Sequence, residues 1–226
     1  MGQKILVLGE SGSGKSTATR NLDPASTFYI NVIGKALPFK GWKSKYQAII
    51  DGKVGNYIST YKFDDIVGII DKISKDRPEV KTIVVDDAQY IMSYEFMERA
   101  TERGFDKFSE IAQHMFNVLR APDGTREDLT TIFLCHSEDV SANGFTRTKM
   151  KTIGKMLDDK ITIEGLFTVV LLAYCHRVEN KDPEYLFITQ SNGTNTVKSP
   201  MGMFDDVKVP NDLGYVLGKV KEYEEG

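Results

Sequence analysis

The chain has 226 residues, of which 41% are hydrophobic and 27% charged. Those proportions suit a folded core and exclude collagen, coiled coil and wholesale disorder as descriptions of the whole chain. A net charge of -3 supplies no global positive field, so any contact with nucleic acid must rest on a local patch.

Two cysteines, Cys135 and Cys175, are too few for a disulfide framework and fit a reducing cytoplasm. The longest apolar stretch, Leu166 to Tyr174, contains Thr168 and is too short to span a bilayer. The apolar run Ile5 to Leu8 is too short for a secretory leader. A cytoplasmic protein without membrane contact is expected.

In chain order, Lys4 to Leu8 is an apolar run closed by Gly9 and predicts a buried strand. Ser16 to Asn21 reads as the start of a helix. Thr27 to Ile33 is rich in aromatic and β-branched residues and predicts a second strand. Gly34 to Tyr61 mixes Gly, Pro, Lys and aromatics and reads as an extended loop or hairpin. Apolar residues at 63, 66, 67, 70 and 73 form a helical face over Phe63 to Lys75, with Pro78 just beyond it as a stop. Thr82 to Val85 predicts a third strand, closed by Asp86 and Asp87.

Glu95 to Leu119 has helical spacing interrupted near Gly104, and Leu129 to Cys135 a fourth strand followed by His136. Residues 137 to 152 are polar and have no clear period. Thr168 to Cys175 and Tyr185 to Gln190 predict two further strands, joined by a turn around Asn180 to Pro183. Strands separated by helices imply right-handed crossovers and a mostly parallel sheet, the last two strands adding an antiparallel extension. With no internal repeat or low-complexity linker, residues 1–226 read as a single α/β domain.

Gly9-Glu10-Ser11-Gly12-Ser13-Gly14-Lys15-Ser16 matches the phosphate-loop pattern, with a strand before it and a helix start after it. Each residue type has a reason. Gly12 and Gly14 let the backbone bend so that successive N–H groups, with that of Ser13, face one point. A helix N-terminus adds partial positive charge. Lys15 reaches the β- and γ-phosphates, Ser16 offers Mg²⁺ a hydroxyl, and Thr17 is placed at the α-phosphate. A nucleoside triphosphate, ATP, with Mg²⁺ is the expected ligand.

Acids at a strand end are commonplace and alone would signify only a solvated terminus. After a phosphate loop they point to a second motif, on a strand expected to lie beside the phosphate-loop strand. Asp86 would hold Mg²⁺, and Asp87 would polarise the attacking water. Glu10, Glu138 and Asp139 are rival bases. His136, at the C-terminal end of the fourth strand, either senses the γ-phosphate and orients water or is a hydrogen-bonded strand-end histidine. The Cys135-His136 and Cys175-His176 pairs invite a zinc reading, but neighbours on a strand point to opposite faces, so buried structural cysteines are favoured.

With GESGSGKS between a strand and a helix, then TIVVDD, then TIFLCH, the chain resembles the RecA-like branch of P-loop ATPases. The closest likeness is to small phage-encoded nucleotide-binding or single-strand annealing ATPases, and it runs from about Gly2 to Phe204. The resemblance implies a RecA-like P-loop core, a homo-oligomer with ATP at subunit interfaces, and single-stranded DNA as partner, in the host cytoplasm if the chain is phage-encoded. It also implies that a basic residue of a late strand reaches a neighbour's ATP; Lys198 fits that position. The chain departs from RecA where a catalytic glutamate follows the second strand, since Asn31 stands there instead.

Two stretches are locally basic. Lys35, Lys40, Lys43, Lys45, Lys53 and Lys62 are interleaved with Phe39, Trp42, Tyr46, Tyr57 and Tyr61, the lysines suited to phosphates and the rings to base stacking. The bland alternatives are a solvated surface and a satellite core. The second stretch, Arg147, Lys149, Lys151 and Lys155, contains no acid and follows the His136 strand, where RecA-like proteins carry a DNA-binding loop. A DNA-coupled ATPase is the leading expectation. A nucleotide-gated annealing module with little hydrolysis is the second. A small-molecule kinase ranks third, because such enzymes carry an arginine-rich lid and the 147–155 stretch has only Arg147.

Overall fold

The computed structural model describes residues 2–48, 55–142, 144–153 and 161–226. Lys53 and Lys155 lie outside them. The strands are β1 (Gln3–Gly9), β2 (Thr27–Asn31), β3 (Tyr57–Ser59), β4 (Thr82–Asp86), β5 (Thr130–Ala142), β6 (Phe145–Met150), β7 (Val169–His176), β8 (Glu184–Ile188) and β9 (Lys208–Pro210). The helices are α1 (Trp42–Lys45), α2 (Phe63–Asp76), α3 (Tyr90–Glu98), α4 (Asp106–Arg120) and α5 (Leu213–Glu225), with 3-10 turns at Ser16–Asn21, Ala121–Gly124 and Ile163–Leu166.

The sheet order is β3-β2-β4-β5-β1-β7-β8-β9, with β6 paired to β5 off that path. From β3 through β7 the pairings are parallel; β7–β8, β8–β9 and β5–β6 are antiparallel. This is the α/β P-loop architecture expected, with its late antiparallel extension. One expectation is overturned. The strand carrying Asp86 does not lie beside the phosphate-loop strand, because β5 stands between them, pairing Leu8 with Cys135 on one side and Asp86 with Leu134 on the other.

Alternation along the strands fills two apolar layers. Leu6, Leu8, Phe28, Ile30, Ile83, Val85 and Phe133 face α2, α3 and α4. Ile5, Val7, Tyr29, Val84, Ile132 and Leu134 face α5 and the 3-10 turn after the phosphate loop. Both faces of β1 and β4 are thus covered, which is why they read as continuous apolar runs.

Several boundaries differ from expectation for local reasons. β2 stops at Asn31, short of Ile33, because Gly34 turns the chain with φ 71° and its N–H donates to Asn31 Oδ1 at 2.9 Å. The segment after the phosphate loop is a six-residue 3-10 helix. The 34–61 region holds the one-turn α1 and β3, which adds to the sheet edge in parallel rather than as a hairpin. The interruption near Gly104 is real; Gly104 has φ 92° between α3 and α4. Residues 137–142 and 145–150, without period in the sequence, form an antiparallel ribbon in which the second half of β5 pairs with β6. No described helix is long and apolar enough to cross a membrane.

Candidate functional site

The strand order changes direction at β1, with β5, β4 and β2 on one side and β7, β8 and β9 on the other. The C-terminal end of such a switch point is where open α/β sheets hold ligands. A cleft of about 500 Å³ opens there, lined by Gly14, Lys15, Ser16, Thr17, Lys35, Asp87, His136 and Tyr185 among others.

The loop after β1 needs its glycines. Gly12 and Gly14 have φ of 79° and 93°, in the region glycine alone enters freely. Lys15 is 5% exposed, and its Nζ donates to the carbonyls of Gly9 at 2.7 Å and Glu10 at 2.8 Å. Burial holds its pKa below the usual lysine value, although Asp87 and Asp86 oppose the shift. Ser13 is buried with its hydroxyl unpartnered, and faces the other side of the loop together with Glu10.

Asp86 is fully buried at the end of β4. Ser16 Oγ donates to its Oδ1 and the Tyr29 hydroxyl to its Oδ2, each at 2.8 Å. Burial, and then the adjacent Asp87, push its carboxyl up to about 6, while the hydrogen bonds from Tyr29 and Ser16 pull the other way. A hydroxyl and a carboxylate oxygen in contact are a hard-oxygen donor pair of the kind Mg²⁺ takes while keeping several waters. The residues fit the ion, and the raised pKa is what a nearby cation would reverse.

Asp87 has φ 59°, a left-handed conformation that swings its carboxylate off the strand direction into the cleft. The Lys35 ammonium donates to Oδ2, and His136 Nε2 lies 3.4 Å from Oδ1. Burial alone would raise its pKa, but the contacts with His136 and Lys35 outweigh burial and hold it below the ordinary carboxylate value. Lys35 itself is raised, the bond to Asp87 overcoming burial. The His136 backbone N–H donates to the Gln89 side chain at 3.0 Å, which fixes β5 where its pairing with β1 ends; the strand itself runs on to Ala142 rather than stopping before His136.

The structure therefore gathers Gly12, Gly14, Lys15, Ser16, Thr17, Asp86, Asp87 and His136 at one end of the sheet. The rivals of Asp87 lie elsewhere: Glu138 is 3.7 Å from Lys149, and Asp139 accepts from Thr148 at 2.6 Å on the ribbon. Lys198 does not line the cleft of its own chain; its backbone pairs with Val170 low on β7. Cys135 is fully buried, burial pushing its thiol far up, and no cluster that would hold a metal occurs among His, Cys, Asp and Glu of the described residues.

Sequence reasoning missed Tyr29, Gln89 and Tyr185, and read Lys35 as one of the lysines suited to nucleic acid rather than as a residue of the cleft. Lys35 had a signal, a lysine just beyond the second strand whose C-terminal end faces the same cleft. Tyr29 had none, because an aromatic in a buried strand looks like core.

Of the two basic stretches, the first spends its rings on packing. Tyr46 is buried, and Tyr29, Phe39, Trp42 and Tyr57 pack about it and one another. Lys45 donates to the Arg20 carbonyl and Lys62 to Glu98. In the second, Arg147 and Lys149 lie on β6 of the ribbon rather than on a loop, and Lys151 follows it. Arg147 and Lys151 are exposed, and Lys149 lies opposite Glu138.

No curated protein matches the chain. The family model described as AAA domain matches residues 1–201. Since that single match takes in the phosphate loop, the Asp86–Asp87 pair and the whole of β5, the chain belongs to the AAA domain family, which supports nucleotide-binding ATPase activity.

Proposed function

We propose that this protein is a Mg²⁺-dependent ATPase that acts on single-stranded DNA as a homo-oligomer, in phage recombination or replication. The observation that carries the hydrolytic half is the convergence of Lys15, Ser16, Asp87 and His136 on one cleft, with Asp86 buried behind Ser16. Ser16 and Asp86 would hold Mg²⁺, which would supply positive charge to the phosphates when bound. Lys15 and Lys35 place two ammonium groups where charge develops as the bond from the γ-phosphorus to its bridging oxygen breaks. Asp87 accepts the proton of the attacking water and His136 orients that water, giving ADP and phosphate from ATP and water.

The DNA half rests on the ribbon. Arg147 and Lys149 lie on β6 and Lys151 just beyond it, and β6 pairs with the half of β5 that continues from His136, so nucleotide state and phosphate-backbone contact meet on one ribbon. ATP at a subunit interface, with a neighbour's Lys198 or Arg147 at the γ-phosphate, belongs to the same reading. It predicts that Lys198→Ala leaves ATP binding by an isolated subunit intact. One observation favours the second reading, a nucleotide-gated annealing module. Both carboxylate oxygens of Asp87 already have cationic or imidazole neighbours, which slows a base.

The test is ATP hydrolysis with and without single-stranded DNA, beside Lys15→Ala. Stimulation by DNA that vanishes in the variant is expected. Turnover indifferent to DNA would detach the DNA half and point to a protein partner, and binding without turnover would favour the annealing module.

A further inference from the structure

The cleft has two unlike ends. One is charged and lies toward β4, with Asp87, Lys35 and His136. The other lies toward β8 and β9, on the opposite side of β1, where Tyr185 lines the cleft and Asn211 follows β9. A nucleoside triphosphate with its γ-phosphate by Asp87 and its α-phosphate by Thr17 therefore points its base toward Tyr185 and Asn211. This inference rests on the triphosphate reading of the cleft.

Asn211 is 4% exposed, yet neither its side-chain nitrogen nor its oxygen has a partner within the protein. Buried carboxamides are normally satisfied, because leaving donor and acceptor unpaired forfeits the hydrogen bonds they made with water. The rest of the segment is held firmly. Arg20 donates to the Asn211 carbonyl at 2.7 Å and to the Thr17 carbonyl at 3.2 Å. The Asp212 side chain caps α5, accepting from the Gly214 N–H at 2.8 Å, and also accepts from the Asn21 side chain. An unpaired amide is thus presented on a fixed backbone, tied to the residue next to the α-phosphate position.

Tyr185 and Asn211 both close on the phosphate loop. A Cβ on Gly14 would lie 2.9 Å from Tyr185 Cδ1 and 3.2 and 3.3 Å from the Asn211 Oδ1 and Nδ2 atoms. The tyrosine ring is 42% exposed, so one face is open to stacking. A carboxamide offers a donor beside an acceptor. The N6/N7 edge of adenine is its complement, whereas the O6/N7 edge of guanine presents two acceptors and leaves the amide oxygen unpaired.

We propose that Tyr185 and Asn211 form the nucleobase subsite of the cleft and select a 6-aminopurine, the ring stacking on Tyr185 while the Asn211 amide donates to a ring nitrogen and accepts from the exocyclic amine. The amide lies below the surface, so the base reaches it as the half-exposed tyrosine ring turns aside and closes over the purine.

The experiment measures equilibrium binding of ATP, GTP, CTP and inorganic tripolyphosphate, with Mg²⁺, to the wild-type chain, Asn211→Ala, Asn211→Asp, Tyr185→Ala, Tyr185→Phe and Lys15→Ala. The wild-type chain should prefer ATP to GTP by about tenfold to hundredfold. Asn211→Ala should erase that preference and leave tripolyphosphate affinity unchanged. Asn211→Asp keeps the shape but removes the donor, and repeats the result if the alanine variant fails to fold. Tyr185→Ala should weaken all three nucleotides about tenfold without touching tripolyphosphate, and Tyr185→Phe should restore them. An ATP preference that survives both Asn211 variants, or equal binding of ATP and GTP by the wild-type chain, overturns the inference while the phosphate site stands. Failure of every triphosphate to bind, or binding unaffected by Lys15→Ala, overturns the phosphate-site reading itself.

Discussion

Asp86 and Asp87 end β4 with almost no exposure, whereas Glu138 and Asp139, also neighbours on a strand, stand on the partly exposed ribbon. In the cleft each carboxylate has two neighbours held by the fold: Ser16 and Tyr29 for one, Lys35 and His136 for the other. On the ribbon each acid has a cross-strand partner, Lys149 and Thr148, with solvent close by. The same kind of side chain therefore carries different weight. Burial removes the water that would otherwise stand in for a lost partner, and exposure supplies it.

The comparison is broken hardest at Asp86. Asp86→Asn should lower ATP turnover about a thousandfold, because the oxygen that fits Mg²⁺ loses its charge. Folding should hold or improve, since the amide removes a charge that burial and Asp87 disfavour. The sign follows from a folded pKa of about 6 above the ordinary value of 3.8. The advantage of asparagine is present above about pH 6 and disappears as pH falls toward the usual carboxylate range, where the aspartate is neutral too. Thermal unfolding of both chains across that window checks it.

Asp87→Asn is expected to lower turnover about a hundredfold with ATP binding kept, separating the base from the phosphate cradle. At the foot of the ribbon, Lys151→Ala should leave DNA-independent hydrolysis unchanged and reduce the salt dependence of single-stranded DNA binding by about one unit of slope. Smallest is Glu138→Gln, for which unfolding free energy should move by less than about 1 kcal/mol and hydrolysis by less than about twofold. A large loss there would mean that the ribbon acid, not Asp87, serves the reaction.

The cleft was more legible than the ribbon for the same physical reason. β1 and β4 are covered on both faces, so they are written as unbroken apolar runs, and the phosphate loop needs glycines and a lysine at fixed spacing. α2 shows its buried Ile66, Ile70 and Ile73 at helical spacing. The ribbon leaves the sheet and has no buried face over most of its length, so residues 137–149 carry no alternation to read. β3 is too short to show a period. α5 was legible and overlooked: Asp212 stands as a cap before Leu213, Val216 and Val220, all buried at helical spacing. Strand order was not legible, because nothing in the apolar run of β5 says that it inserts between β1 and β4.

That insertion has a mechanical consequence. The first part of β5 is gripped by β1 on one edge and β4 on the other, and its remainder beyond His136 is held by β6 alone. The Lys151 N–H donates to the His136 carbonyl at 2.8 Å, so the returning strand is pinned where the outgoing one leaves the sheet. The result is a cantilever clamped at the histidine and again at Thr148, whose N–H donates to the Thr194 carbonyl at 2.8 Å and whose carbonyl accepts from the Thr196 N–H at 3.1 Å. Beyond Asp139, which pairs with Thr148, three residues of β5 reach about 10 Å, so a tilt of about 5° there sweeps the tip through about 1 Å by arm length alone.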